Sequence, residues 1–177
     1  MLKILATICI IGMATSSCTS KKASRTESSH EAEPELTMIV GTYTSGDSKG
    51  LYSFRFNEEN GTATALSEAE VENPSYLVPS ADGKFIYAVS EFSNDQAAAN
   101  AFAFNKEEGT FRLLNTQKTE GEDPCYIITN GSNVITANYS GGSISVFPID
   151  KDGSLLPAST VVKFKGSGAD KERQEKP

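Results

Sequence analysis

The stretch Asn73-Pro-Ser-Tyr-Leu-Val-Pro-Ser-Ala-Asp-Gly-Lys-Phe-Ile-Tyr-Ala-Val-Ser-Glu91 contains two short apolar segments separated by Asp82-Gly83. An Asp-Gly pair between apolar segments is a strong hairpin signal, because both residues adopt positive φ at little cost. The same plan returns in residues 123–139, where Asp-Pro-Cys-Tyr-Ile-Ile precedes a turn at 130–133 and a second strand. The chain is therefore predicted to repeat one hairpin unit.

This repeat has a nearly constant length. Tyr43, Glu91 and Tyr139 occupy equivalent places, and each is 48 residues from the next. Gly61 and Gly109 are also 48 residues apart, and the third unit is slightly shorter. Four strands in a period of ~40–50 residues are typical of propeller blades. The sequence therefore predicts an all-β fold, a β-propeller with about three four-stranded blades present.

The blades are assigned by labelling their strands a to d from the axis outward. Residues 37–70 form a partial blade with strands b, c and d, residues 73–118 and 123–164 form complete blades, and the next blade starts beyond them. The outer strand of the third blade is expected at 155–164. Because a propeller needs at least ~4 blades to close its ring, we expect an N-terminal part of a longer propeller. The alternative is a three-blade piece that completes a ring by oligomerising.

The N-terminal residues differ from the rest in composition. Residues 1–17 combine Lys3 with a short apolar run, as in a secretory signal peptide, and Thr15-Ser-Ser-Cys18 is similar to a lipoprotein cleavage box. Residues 18–36 are polar without apolar periodicity, which predicts a disordered tether. We expect lipidation at Cys18, export, and lipid anchoring at a bacterial cell envelope.

Composition excludes several function classes. The formal net charge is −7 and no Lys/Arg cluster is present, so a nucleic-acid partner is not expected. His30 is the single histidine and lies in the predicted tether, which removes most histidine-based catalysis from this chain. Cys125 follows Pro124 and is expected to be a small buried residue. There is no Ser-His-Asp set or metal-ligand cluster, so the residues alone predict a binding face and no particular reaction.

The candidate binding residues lie where the strands b end, because these ends and the d-to-a loops surround the channel mouth. They include Tyr43, Glu91, Asn138 and Tyr139. Glu91 is the one acid at a position that is otherwise Tyr. The polar loop 166–177 contains a lone Gly-x-Gly, which is a poor phosphate signal because no helix pattern follows it.

At these motifs the chain resembles the lactonase family of seven-bladed β-propellers, which includes propeller-type 6-phosphogluconolactonases and fungal carboxymuconate-lactonising enzymes. The resemblance covers residues 38–177 and depends on the order and spacing of several short motifs together. The matching stretches are Val40-Gly-Thr-Tyr-Thr44, residues 73–91, Asn138-Tyr139 with Gly141-Gly-Ser143, and the loop Gly168…Arg173-Gln174…Pro177.

The resemblance implies hydrolysis, or reversible formation, of a sugar-acid-type lactone without a metal or another cofactor. The resemblance also implies that charged His, Arg and Glu side chains on the channel face carry the reaction; the expected His lies beyond Pro177, and Arg173 is a catalytic candidate. Substrate-binding candidates are Tyr43, Glu91, Asn138, Tyr139 and Gln174. The implied partners are a small lactone and, through the lipid anchor, a membrane. Because export would separate the protein from 6-phosphogluconolactone, another lactone is expected.

Two alternatives remain open at this point. One is that this chain is a piece of the enzyme that is inactive alone. The other is a non-catalytic envelope propeller that binds a protein or a glycan.

Overall fold

The structure, a computed structural model, describes residues 35–175. The predicted signal peptide, the lipidation site Cys18 and the tether up to residue 34 lie outside these residues. The first strand already begins at Glu35, so the last two residues of the predicted tether belong to the sheet.

The described residues form eleven strands in three antiparallel sheets. The first sheet contains β1 (Glu35–Gly41), β2 (Gly50–Asn57) and β3 (Ala63–Glu70). The second contains β4 (Leu77–Pro79), β5 (Phe85–Ser90), β6 (Ala98–Asn105) and β7 (Thr110–Lys118). The third contains β8 (Pro124–Thr129), β9 (Asn133–Asn138), β10 (Ser143–Pro148) and β11 (Thr160–Lys163).

In every sheet the strands pair in the order in which they follow along the chain. This is the arrangement of propeller blades, and the predicted strands b, c and d of the first blade and a to d of the other two correspond to these strands. The prediction of an all-β propeller is confirmed.

The sheets pack face to face. This packing explains why the sequence of β5 is apolar almost throughout. Successive side chains of a strand point to opposite faces. Ile86 and Ala88 join Leu51 and Phe102 in a core toward the first sheet. Tyr87 and Val89, which alternate with them, enter a second core toward the third sheet. A strand between two neighbours is therefore buried on both faces.

In the second and third blades, the turn between strands c and d is held by the preceding blade. Ser53 Oγ and Ser67 Oγ of the first sheet donate to the carbonyl of Gly109, at 2.6 and 2.7 Å. In the next pair of blades, the Tyr87 hydroxyl donates to the carbonyl of Gly153 at 3.2 Å. Gly109 has a φ of 72°, and a Cβ added to it would approach Leu66 to 2.6 Å and Ser53 Oγ to 2.7 Å, so this turn needs a residue without a side chain.

Two local predictions differ from the structure. Only Gly83 of the Asp82-Gly83 pair has a positive φ; Asp82 instead accepts hydrogen bonds from Ser80 Oγ at 2.7 Å and Lys84 N at 3.1 Å. The hairpin therefore has a longer loop than the predicted two-residue turn. In the third blade, regular pairing of strand d starts only at Thr160, because Pro157 cannot donate to a sheet and Leu155 is tied to Ile149 by an isolated bridge.

The expected burial of Cys125 is wrong, because its side chain is exposed. The pairing register of β8 with β9 shifts between Pro124 and Tyr126, which makes Cys125 the extra residue of a bulge. A bulge reorients the side chains next to it, and a pattern of residue types does not show this.

Candidate functional site

We call the mouth the side of the sheets where β1, β5 and β9 end, together with the loops 71–76 and 119–123, the start of β8 up to Tyr126, and residues 165–175. Its backbone repeats from blade to blade. Asn73 and Asp123, each followed by proline, have φ values of 47° and 50°. Their carbonyls accept hydrogen bonds from Glu91 N at 3.0 Å and Tyr139 N at 2.8 Å, respectively. The repeated Asn/Asp-Pro motif thus fixes the residues that follow strands b.

Glu91 lies at the junction of the first two blades. The Tyr43 hydroxyl donates to Glu91 Oε2 at 3.0 Å, and Ser75 Oγ donates to the same oxygen. This hydrogen bond, together with partial burial and the charge of Glu91, raises the pKa of the Tyr43 phenol above its ordinary value. The tyrosine is nevertheless 58% exposed, so the pair faces solvent. Sequence spacing predicted that Tyr43 and Glu91 are equivalent, and the structure brings them into contact.

The side chain of Asn73 connects the two blades at this junction. Its Oδ1 accepts hydrogen bonds from Thr44 N at 3.0 Å and Thr44 Oγ1 at 3.1 Å, and its Nδ2 donates to the carbonyl of Glu91 at 3.3 Å. One side chain therefore joins the end of β1 to the end of β5. Asn73 and Ser75 belong to residues 73–76, which the sequence places among the candidates in the d-to-a loops at the channel mouth, and the structure brings both side chains to the junction.

Tyr139, Arg173 and Gln174 gather around a second feature, a cleft of about 510 Å³. Glu122, Ser140, Glu172 and Glu175 complete its lining. The structure thus brings together three of the predicted site residues, Tyr139, Arg173 and Gln174.

The loop that carries Arg173 is held in shape by hydrogen bonds within the loop. Asp170 Oδ1 accepts hydrogen bonds from Glu172 N at 3.1 Å and Arg173 N at 3.3 Å. Gln174 N donates to the carbonyl of Asp170 at 2.7 Å, and Gly168 N donates to the carbonyl of Gln174 at 2.8 Å. These bonds close a turn that presents Arg173 to the cleft.

A chain of backbone hydrogen bonds connects the two features. Phe92, directly after Glu91, accepts from Asp123 N at 2.8 Å, and Asp123 in turn accepts from Tyr139 N. The Glu91 junction and the Tyr139 cleft therefore belong to one continuous surface.

Asn138, by contrast, does not face the mouth, because its side chain is only 2% exposed. Its Nδ2 donates to Ser143 Oγ at 3.0 Å and Ser145 Oγ at 2.9 Å, while its Oδ1 accepts from Thr136 Oγ1 at 3.0 Å. Gly121 lies directly over it, where an added Cβ would approach Asn138 Nδ2 to 2.5 Å. The amide holds the hairpin below Tyr139 together and is not available to a ligand in this structure.

Exposed tyrosines are concentrated at the mouth. Tyr43 and Tyr139 follow the ends of β1 and β9, and Tyr139 is 69% exposed. Tyr76 and Tyr126 stand at the inner strands of neighbouring blades, with ring centroids 4.7 Å apart and both rings exposed. Tyrosines with an accessible ring face and a free hydroxyl suit ligands that combine apolar and polar surface.

Within residues 35–175, no three or more His, Cys, Asp or Glu side chains are grouped so that they could hold a metal ion. The same residues include no helix that is long and apolar enough to cross a membrane.

Residues 37–177 match the family model described as "Lactonase, 7-bladed beta-propeller". The chain belongs to the lactonase family of seven-bladed β-propellers. This membership confirms the resemblance deduced from the motifs at the strand ends.

Individual members of the lactonase family show the same relationship. The chain is 38% identical over 144 residues to the 6-phosphogluconolactonase of Bacillus subtilis, covering 78% of this chain and 40% of that protein. The crystal structure of a putative 6-phosphogluconolactonase from Bacteroides fragilis matches with a TM-score of 0.80 and 73% identity, over 81% of this chain and 40% of that one.

The periplasmic gluconolactonase of Pseudomonas aeruginosa matches with a TM-score of 0.69 and 29% identity, over 75% of this chain and 39% of that one. The chain thus spans about 40% of the length of the B. subtilis and B. fragilis proteins. Its three blades correspond to part of the seven-bladed fold of the family.

Proposed function

We propose that the full-length protein is a hydrolase of sugar-acid-type lactones and that the mouth is the substrate-binding face. The observation that carries this proposal is the match to the lactonase family along the whole of the described propeller. Similar proteins named as lactonases support it, as does the gathering of Tyr43 with Glu91 and of Tyr139 with Arg173 on one side of the sheets.

In this reaction water adds to the lactone carbonyl carbon, the ring C–O bond breaks, and a hydroxy acid is formed. Negative charge develops on the carbonyl oxygen and then on the leaving ring oxygen. A positioned cation stabilises such charge more in the transition state than in the ground state. We assign this role to the Arg173 guanidinium.

Substrate hydroxyl groups need hydrogen-bond acceptors and donors that are held in place. Glu91 Oε2 is occupied by the donors of Tyr43 and Ser75, which leaves Oε1 to accept from a ligand hydroxyl. Tyr139 and Gln174 are placed to bind the remainder of the lactone at the cleft. A side chain that activates the attacking water is not assigned among residues 35–175.

We also propose that the protein is exported and lipid-anchored through Cys18. The P. aeruginosa protein of this fold is described as periplasmic, which supports export. Mass spectrometry of the membrane fraction tests the anchor: a diacylated N-terminal peptide beginning at Cys18 is expected, and an unmodified soluble protein would contradict it.

The enzymatic proposal is tested with a pH-stat, since each lactone opened releases one proton at neutral pH. The full-length protein should open sugar-acid lactones well above their spontaneous rate. Arg173→Gln should lower kcat by about 10²-fold or more, the size of effect seen when one oxyanion-stabilising group is lost. Lys171→Gln is the matched control in the same loop.

If the wild-type protein opens no lactone faster than water does, the enzymatic proposal fails. Retention of a glycan or an envelope protein by that inactive protein would then favour a non-catalytic binding propeller.

A further inference from the structure

Acidic side chains outnumber basic side chains around the Tyr139 cleft. The Tyr139 cleft is lined by three carboxylates, Glu122, Glu172 and Glu175, and one cation, Arg173. Lys171 belongs to the same loop but does not line the cleft. The lining therefore has a formal excess of negative charge.

Glu91 extends this acidic surface to the junction of the first two blades. Two neutral donors, Tyr43 and Ser75, converge on one of its oxygens, and the described residues place no Lys or Arg in a salt bridge with it. Hydrogen bonds from hydroxyl groups stabilise the carboxylate without cancelling its charge. The loop between the two features, residues 119–123, adds the acids Glu120 and Asp123.

The mouth also carries four exposed tyrosines. Tyr43, Tyr76, Tyr126 and Tyr139 offer ring faces and hydroxyls, which suit the C–H faces and hydroxyl groups of an uncharged sugar ring. Phosphate is usually bound by clusters of Arg or Lys or by helix N-termini. Within residues 35–175 there is no helix, and one Arg and no Lys line the cleft. The other two cations of the mouth, Lys165 and Lys171, lie outside this lining.

From these observations, and given the proposed lactone hydrolysis, we propose that Glu91, Glu122 and Glu172 are specificity determinants that select an unphosphorylated sugar-acid lactone over its phosphorylated counterpart. A phosphate ester carries a charge of about −1.5 to −2 at neutral pH. Opposing it with like charges costs binding free energy, and such repulsion is an effective way to reject a wrong ligand. The neutral lactone experiences no such repulsion, and its hydroxyl groups donate hydrogen bonds to the same carboxylates.

The three similar proteins described above differ in the substrate that their names give: two names refer to a phosphorylated lactone and one to an unphosphorylated lactone. The acidic lining of the cleft favours the unphosphorylated lactone as the substrate of this protein. The distinction depends on charged side chains of the mouth and not on the fold, which all of them share.

The test compares kcat/KM of the full-length protein for gluconolactone and 6-phosphogluconolactone at low ionic strength. We expect at least a tenfold preference for the unphosphorylated lactone. The double variant Glu122→Gln/Glu172→Gln should reduce that preference about three- to tenfold by improving kcat/KM for the phosphorylated lactone. Added salt should reduce it in the same direction, because it screens exposed charges.

Glu58→Gln removes a charge in the turn after β2 and serves as the control, with the preference unchanged. A preference for the phosphorylated lactone, or a double variant indistinguishable from wild type, would overturn the inference while leaving lactone hydrolysis standing.

If neither lactone is hydrolysed, the proposed function fails and the charge argument is decided by calorimetric binding of gluconate and 6-phosphogluconate. Tighter binding of gluconate would support the inference. Equal binding, no binding, or tighter binding of the phosphorylated acid would overturn it.

Discussion

The Tyr43 hydroxyl donates a hydrogen bond of 3.0 Å to Glu91 Oε2, which joins the ends of two neighbouring blades at the mouth. These residues are separated by 48 positions, one full repeat of the sequence. The contact thus joins equivalent positions of successive blades. The first position is a tyrosine and the second is a glutamate.

Tyr43→Phe removes this donor and retains the ring. Because the pair is exposed, we expect little change in stability but a KM for the lactone that is about three- to tenfold higher, since Glu91 loses one of the two groups that hold it. Steady-state kinetics with kcat and KM resolved separately provide the measurement.

Tyr87→Phe is the matched comparison, because its hydroxyl bonds to the carbonyl of Gly153 between blades and lies away from the mouth. It should leave KM unchanged and lower the free energy of unfolding by about 1 kcal/mol. The reverse pattern, with KM affected by Tyr87 and not by Tyr43, would contradict the assignment of the mouth.

The ionisation of Tyr43 should also report its contact with Glu91. The pKa of this phenol is raised from 10.0, first by the hydrogen bond to Glu91 and then by burial and by the charge of Glu91. A raised pKa in the folded state favours the protonated form, so the contribution to stability is complete below pH 10.0 and is lost as the pH rises through the raised value.

Ultraviolet titration of tyrosinate, taken as the difference between wild type and Tyr43→Phe, should place this pKa above the ordinary one. The difference is needed because burial also raises the pKa of Tyr87. In Glu91→Gln the Tyr43 value should fall back toward 10.0. An unchanged titration in that variant would show that the two side chains do not interact.

Alanine substitutions at two glycines distinguish the effect of packing between blades from the effect of backbone strain on stability. Gly109 and Gly83 have φ values of 72° and 70°, so alanine at either position costs about 1 kcal/mol or more for the left-handed conformation. At Gly109 the added Cβ would also meet Leu66 at 2.6 Å, whereas at Gly83 it meets nothing within 4 Å.

Gly109→Ala should therefore destabilise the protein by about 1–3 kcal/mol more than Gly83→Ala, in urea denaturation with an unchanged m-value. Equal losses at the two sites would mean that the blades do not pack at this turn as described.

Asn138→Ala should act on stability. It leaves Ser143, Ser145 and Thr136 without the amide that joins them in a buried site, at a cost of about 1–3 kcal/mol. Denaturant unfolding should show this loss, while KM for the lactone changes less than in Tyr43→Phe. A large increase in KM with normal stability would instead place Asn138 at the ligand.

The repeat in the sequence was sufficient to predict the blades, because strand periodicity and turn residues are local properties that recur at a fixed spacing. It also predicted that Tyr43, Glu91 and Tyr139 occupy equivalent places. What it could not show are the features that depend on register and on neighbouring blades: the bulge that exposes Cys125, the burial of Asn138 beneath Gly121, and the convergence of Tyr43 and Ser75 on one oxygen of Glu91.

The position of a bound product tests the mouth as the substrate site most directly. A crystal structure of the full-length protein with an unphosphorylated sugar acid should show the ligand at the mouth, with a hydroxyl within hydrogen-bond distance of Glu91 and its carboxylate toward Arg173. A sugar acid bound at the opposite side of the sheets, beside the Asp82-Gly83 turn, would contradict the proposed site.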